Sequence, residues 1–259
     1  MTEGTPLERA GLDGVAVKPT EHDLDAVDRL PTGLVNVDYE GREAVPDPEW
    51  FAALARDREV RVTTPVRADG FDPLGDDSLL PLPDAVDRVL VAGNPAYLSE
   101  GERERAVAPR LAAARSADPD AWVGTEGVER VALAAGGTQY ELLGRNTGRA
   151  LRALRAAGFE GGLAVYAPVV FGDEDAALDA VGEYVARRGP VRRALPEGAA
   201  TDASATGRAR QVLGAAVSDY ALVGSPEDVR ERVTDLRDAG ADWVVGYPAR
   251  GLDRVLDSG

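Results

Sequence analysis

Short, almost wholly apolar runs alternate along the chain with longer stretches in which Ala, Leu and Val recur every three or four residues among Arg, Glu and Asp. Compact Val-rich runs are the mark of strands buried on both faces, and a 3.6-residue apolar period is the mark of amphipathic helices. On that pattern strands are predicted at 14–18 (GVAVK), 34–39 (LVNVDY), 60–64 (VRVTT) and 88–92 (RVLVA). Four more are predicted at 130–135 (RVALAA), 163–170 (LAVYAPVV), 220–224 (YALVG) and 243–247 (WVVGY). Helices are predicted over 141–157, 174–188, 208–217 and 226–239. Eight buried strands joined by crossover helices predict an α/β chain whose 259 residues form a single-domain (β/α)8 TIM-type barrel.

Two stretches interrupt the alternation. Residues 67–87 are rich in Pro, Gly and Asp and predict a long loop of the kind that forms lids or surface decoration. Residues 188–207 fall between the sixth and seventh predicted strands and read as a loosely packed insertion, without a repeat or a separate domain.

In a barrel, the polar groups at the carboxyl ends of the strands are the site candidates. Lys18 ends the first strand; its ammonium could form an imine, or it could simply pair with a carboxylate. His22 follows between Glu21 and Asp23, as a rim acid–base group or a solvated side chain. Asp38, Glu40, Arg67, Asp69 and Asn94 also follow strands, each alone non-specific.

Two turns suggest anion binding. Gly136 and Gly137 are predicted to leave the strand 130–135 and open a helix, where backbone amides and the Thr138 hydroxyl could approach a phosphate; a ligand-free tight turn reads equally well. Farther on, Ser225 is a natural N-cap, with Pro226 at the first helical position, Asp228 three residues after the cap and Gly240 as the stop. That helix start and Arg250, which follows the last strand, would share one rim and could hold an anion. The need for a cap also accounts for Ser225, and Glu227 and Asp228 would repel an anion.

Composition narrows the classes. The chain carries 29 basic and 45 acidic residues, a net charge of -16, which argues against nucleic acid and anionic membranes as partners. Lys18 is the sole lysine, and this acidic, Arg-for-Lys, Ala-rich balance favours a GC-rich genome together with the salty cytoplasm of a halophilic archaeon over the alternative, an acidic protein of a GC-rich bacterium. There is no cysteine and one histidine, so thiolate chemistry, iron–sulfur ligation and multi-histidine metal sites are excluded, and no metal site is expected. An acidic N-terminus without an apolar core predicts a cytoplasmic protein. The expected partner is a small-molecule substrate or cofactor, and a homo-oligomer is compatible with the chain.

Three segments, VALAAGGTQYELLG, LAVYAPVVFGDEDAALDAVGEYVAR and LVGSPEDVRERVTDLRDAGADWVVGYPARG, resemble the luciferase-like superfamily of flavin- and F420-dependent barrels, including methylenetetrahydromethanopterin reductase. Near the N-terminus LERAGLDGVAVKP is similar to a strand of that family. The resemblance implies a shortened, divergent luciferase-like oxidoreductase using F420 or FMN for hydride transfer. Cofactor phosphate would then lie near Gly136 and Gly137, with Arg250, by position, a second phosphate contact and the ring over the barrel mouth. The family's catalytic His, Glu and Trp arrangements have no clear match, so the alternative is a catalytically silent barrel that binds a partner or metabolite.

Overall fold

The computed structural model describes residues 4–75, 79–93 and 98–256. Its strands are β1 (Gly14–Val17), β2 (Leu34–Val37), β3 (Glu59–Pro65), β4 (Asp87–Val91), β5 (Trp122–Gly124), β6 (Gln139–Leu142), β7 (Leu163–Phe171), β8 (Leu222–Gly224) and β9 (Trp243–Pro248). Every pairing is parallel, and the ring β1–β2–β3–β4–β5–β6–β7–β9 closes on β1 as an eight-stranded barrel in one domain. Helices wrap it: α1 (Pro6–Ala10), α2 (Pro48–Leu54), α3 (Glu100–Glu104), α4 (Val107–Ala117), α5 (Glu129–Ala135) and α6 (Thr147–Ala156). The second half adds α7 (Glu174–Ala186), α8 (Gly189–Ala194), α9 (Gly207–Tyr220), α10 (Pro226–Asp238) and α11 (Asp253–Leu256).

The barrel predicted from the apolar pattern is present, but two of its strands lie elsewhere. Residues 130–135 belong to α5, whose Ala and Leu are good helix formers and of which only Ala132 is fully buried. The barrel strands at this point are the three-residue β5 and the polar β6. The predicted helix 141–157 therefore begins as strand, and α6 starts only at Thr147. β8 is accessory. Val169 of β7 pairs with both Pro248 and Leu222, so β8 lies on the edge of β7 that β6 occupies lower down.

Residues 188–207 carry α8 and bury Val191 and Ala205 in the cluster shared by α7 and α9. Residues 67–86 contain no helix or strand among those described, yet Phe71, Leu80 and Val86 are buried against β1–β3. Asn94 lies outside the described residues.

The amino end of the barrel is clamped by carboxylates. Asp13 accepts from the Val244 amide at 2.7 Å and from the Arg237 guanidinium at 2.8 Å. Asp242 accepts from the Leu163 amide at 2.8 Å and from Arg155 at 2.5 Å. Inside this end, Arg61 lies 4.2 Å over the ring of Trp122 and pairs with Glu59 at 2.6 Å. The cation is thereby paired and its face covered, as burial demands.

Gly182, in the middle of α7, shows how tightly residues 196–206 dock, because a Cβ there would run into the Thr201 carbonyl. Gly182→Ala is expected to lower unfolding stability by about 2 kcal/mol, as overpacking of a rigid backbone contact does. A urea titration followed by circular dichroism reads this as a fall in midpoint at unchanged slope; an unchanged midpoint would mean that the segment is not docked.

Candidate functional site at the carboxyl mouth of the barrel

Strand alternation turns Leu34 and Asn36 of β2 inward and continues to Asp38 just beyond its end, and the same period turns Tyr140 of β6, Tyr166 of β7 and Tyr247 of β9 into the lumen, Tyr140 lowest. The Tyr166 hydroxyl reaches 3.4 Å to Asp38 Oδ2, a contact that crosses the lumen because β7 and β2 are not neighbours in the ring. Asn36 Nδ2 donates to the other carboxylate oxygen at 2.8 Å. The tyrosine rings pack on one another, Tyr140 edge-on to Tyr166 at 5.9 Å and Tyr166 stacked with Tyr247 at 6.3 Å.

Asp38 keeps part of its residue surface open at the mouth, while its carboxyl stands among these rings. Loss of water raises its pKa from the ordinary carboxylate range to about 7, against the opposing pull of the Lys18 charge and the bonds from Tyr166 and Asn36. The hydroxyls of Tyr140 and Tyr166 are pushed upward by the same desolvation and by the charge on Asp38. They therefore stay protonated. Two polar atoms of this layer, the Tyr140 hydroxyl and Asn36 Oδ1, have no hydrogen-bond partner.

Lys18 stands beside this carboxyl. Its ammonium bonds Glu21 at 2.6 Å and lies 4.8 Å over the ring of Tyr247, whose hydroxyl donates to Glu21 as well. Desolvation pushes Glu21 up, but the bonds from Lys18 and Tyr247 outweigh it and hold the carboxyl low. His22 is buried, and both ring nitrogens are occupied: Nδ1 accepts from the Lys18 amide at 2.9 Å, which leaves Nε2 to donate to the Pro248 carbonyl at 3.1 Å. His22 thus staples the loop after β1 to the end of β9 and fixes where Lys18 stands.

The other sequence candidates separate. Gly136, Gly137 and Thr138 end α5 and precede β6, so they face the amino end, opposite the mouth. Both glycines have positive φ, and a Cβ on Gly137 would press on the Arg115 guanidinium. Ser225 and Arg250 do share the carboxyl rim: Gly172 donates to the carbonyl of Gly224, beside Ser225, and a Cβ on Gly172 would lie 3.4 Å from Arg250 Nη1. Ser225 is engaged in a complete capping box with Asp228, whose carboxylate takes the Ser225 amide and hydroxyl. Arg250 is exposed.

Among the remaining rim residues, Glu40 accepts from the Thr20 amide and hydroxyl, and Asp69 accepts from the Tyr39 hydroxyl at 2.8 Å. Arg67 is buried and donates to the carbonyls of Ala92, Arg103 and Arg105, tying the end of β4 to the end of α3. Among the described residues no group of three or more His, Cys, Asp or Glu could hold a metal ion, and no helix is long and apolar enough to cross a membrane.

A closed parallel eight-stranded barrel wrapped by helices is the (β/α)8 fold, and solved structures share it. An F420-dependent secondary alcohol dehydrogenase in complex with an F420-acetone adduct superposes with a TM-score of 0.61 at 11% identity, covering 97% of this chain and 95% of that one. Apo-MsnO8 superposes with a TM-score of 0.52 at 16% identity, over 96% and 94% of the two chains. Residues 7–255 match the model of a family of unknown function, DUF7388, and the chain belongs to that family. No curated protein shows significant sequence similarity to it.

The raised pKa of Asp38 sets a pH dependence. An unfolded aspartate titrates near 4, so between about pH 4 and 7 the native state keeps a proton that the unfolded chain has released, and this group's contribution to stability falls as pH rises. Asp38→Asn is therefore expected to gain stability relative to the parent across that window and to run parallel to it above. Denaturant midpoints of both chains at each pH check this; a constant difference would place the Asp38 pKa at its ordinary value.

Proposed function

We propose that the chain is a luciferase-like oxidoreductase acting on a small molecule at the carboxyl mouth of its barrel, with F420 or a flavin as hydride partner. The observation that carries this reading is Asp38, a carboxyl with a pKa of about 7 at the end of the barrel where enzymes of this architecture work. A proton donor or acceptor is most effective when its pKa lies near the working pH. The kinship of fold with a protein whose structure holds an F420-acetone adduct supports the cofactor class.

The residues at the mouth fit such a group in two respects. The Tyr166 and Tyr247 faces offer an aromatic surface beside Asp38, and the unpartnered Tyr140 and Asn36 atoms below are unmet polar demand of the kind a ligand answers. Arg250, exposed beside Gly172, is the rim cation suited to a phosphate, with the Ser225 turn next to it. Bound there, F420 or a flavin would supply the hydride chemistry.

The chain's own residues do the rest. Asp38 Oδ2 takes up or returns the proton, Tyr166 orients that oxygen through its hydroxyl, and Lys18 holds positive charge near the carboxyl when it is ionised. Beneath them Trp122, Tyr140, Val89 and Val245 fill the lumen and keep bulk water from arriving from below. Gly136, Gly137 and Thr138 have no part in this reading, because they face the other end.

Two observations favour a second reading, a catalytically silent barrel. Tyr166 and Tyr247 stack within the mouth, and the Asp228 carboxylate occupies the Ser225 amide that a phosphate would need. Titration of the purified protein with F420 and with FMN in concentrated KCl separates the two. The oxidoreductase reading expects one of them to bind with a Kd below tens of micromolar, about -6 kcal/mol, and Arg250→Ala to weaken that binding about tenfold. Binding of neither leaves the silent barrel.

A further inference from the structure

Barrel interiors of this architecture are ordinarily packed with branched aliphatic side chains. Here Trp243, Trp122, Tyr140, Tyr166 and Tyr247 form one unbroken file of rings through the lumen, with successive centroids 5.1, 5.8, 5.9 and 6.3 Å apart. The file runs from the amino end, where Trp243 opens β9, to the mouth, where Tyr247 stands near the end of the same strand. It holds two of the three tryptophans, three of the seven tyrosines and none of the four phenylalanines. Packing alone gives no reason to pass over Phe, which buries a similar ring without a polar group to satisfy, and the Tyr140 hydroxyl is in fact left without a partner. What Trp and Tyr add is a ring that gives up an electron. They are also the readily oxidised side chains of this chain, which has no cysteine and a single methionine, Met1.

The two ends of the file differ as one-electron chemistry requires. At the mouth, the Tyr166 hydroxyl donates to Asp38 Oδ2 at 3.4 Å and the Tyr247 hydroxyl donates to Glu21, so a phenol that loses an electron has a carboxylate to take its proton. Without such an acceptor the cation radical left behind would be an uncompensated charge in a desolvated site. Farther down, the Arg61 guanidinium lies 4.2 Å over Trp122 and disfavours positive charge on that ring, so an oxidised site does not rest there. Trp122 is 3% exposed, whereas Trp243 is half-buried, so that water reaches it at the amino end.

We propose that this file of rings is an electron relay that carries single oxidising equivalents out of the mouth to Trp243. The oxidant is a one-electron acceptor at the mouth, of the class of an oxygen-centred radical or a photoexcited isoalloxazine. It takes one electron from Tyr166, or from Tyr247 stacked on it, and the phenolic proton passes to the carboxylate to which that hydroxyl is bonded, leaving a neutral tyrosyl radical. An electron from Trp243, passed through Trp122 and Tyr140, refills the phenoxyl, which recovers its proton from the carboxyl. Trp243 releases its indole proton to water and ends as a neutral radical, which a soluble thiol reduces by giving up a hydrogen atom. The relay rests on the oxidoreductase reading only for the identity of the oxidant.

The test supplies its own oxidant, so its failure and the failure of the redox reading are told apart. The chain has no cysteine, so Arg250→Cys gives one thiol at the carboxyl rim, to which a ruthenium polypyridyl photosensitiser is attached. In concentrated KCl, with a cobalt(III) ammine as irreversible electron acceptor, a light flash leaves the attached ruthenium one electron short. Transient absorption is expected to show a tyrosyl radical that gives way to an indolyl radical, and a nitroso spin trap followed by peptide mass mapping to place the latter on Trp243. Trp122→Phe and Tyr140→Phe are each expected to slow this conversion at least tenfold, while Trp50→Phe, at a ring that packs on Phe51 away from the file, leaves it unchanged. Tyr140→Phe removes only a hydroxyl that has no partner, so the relay is still tested if Trp122→Phe folds poorly. The proposal is overturned by the absence of an indolyl radical, by a conversion as fast in Tyr140→Phe as in the parent, or by trapping on Trp50 in place of Trp243. If Trp243 is trapped as expected while neither F420 nor FMN binds, the relay stands and the redox reading falls.

Discussion

Everything at the mouth depends on the closure of the parallel ring. Because β9 pairs with both β7 and β1, each barrel strand has its hydrogen bonds taken on both sides, and the lumen is walled from solvent along its length. A walled lumen must be filled by the side chains that alternation points inward, and each polar atom among them must find a partner inside. Ala16, Leu34, Val89, Trp122 and Val245 meet the first demand. Asn36, Asp38, Tyr140 and Tyr166 are left to meet the second among themselves, and they meet it only in part.

That incomplete settlement is what turns a packing problem into chemistry. At the mouth of a wide, wet cleft the same aspartate would titrate as a solvated carboxylate. Here three tyrosine rings displace the water that would stabilise its charge, and the two hydrogen bonds it accepts do not restore what is lost. Lys18 counters the shift without abolishing it, and the His22 staple fixes the distance at which it acts. The sole lysine and the sole histidine are thus both tied to the environment of Asp38, His22 as part of the scaffold and Lys18 as part of the field.

Much of the fold was legible because period and capping are local signals. The apolar runs at 14–18, 34–39, 163–170 and 243–247 are strands, and the Ser225–Pro226–Asp228 start is the helix cap it spells. The sequence misled where an element is short or where its composition belongs to another class. Trp122–Gly124 is too brief to show a period, Gln139–Leu142 is a polar strand, and the Val-containing run at 130–135 forms a helix. That one exchange also reversed the end of the barrel assigned to Gly136 and Gly137. Asp38 was visible only as one rim carboxylate among several. What singles it out is tertiary, although the alternate polar residues Asn36 and Asp38 in an otherwise apolar run were the available hint. The tyrosines come from three distant strands and carried no local signal.

The two ends of the barrel answer the same physical demand in opposite ways. At the amino end, Asp13 and Asp242 each accept a backbone amide and a guanidinium, and Arg61 is covered by Trp122 and paired with Glu59, so these charged groups are matched, although Gln139 Oε1 has no hydrogen-bond partner there. At the carboxyl end a carboxyl is held near neutrality, a phenol and an amide oxygen are unpaired, and the Arg250 cation stands exposed at the rim. Unmet polar groups in a closed space lower stability, and a fold that needed only to be stable would do better with apolar side chains in their place. At the mouth they stand with a carboxyl held near neutrality and an exposed cation, above a base whose carboxylates and guanidinium are paired, the arrangement expected when one end of a barrel maintains the structure and the other is kept for a ligand.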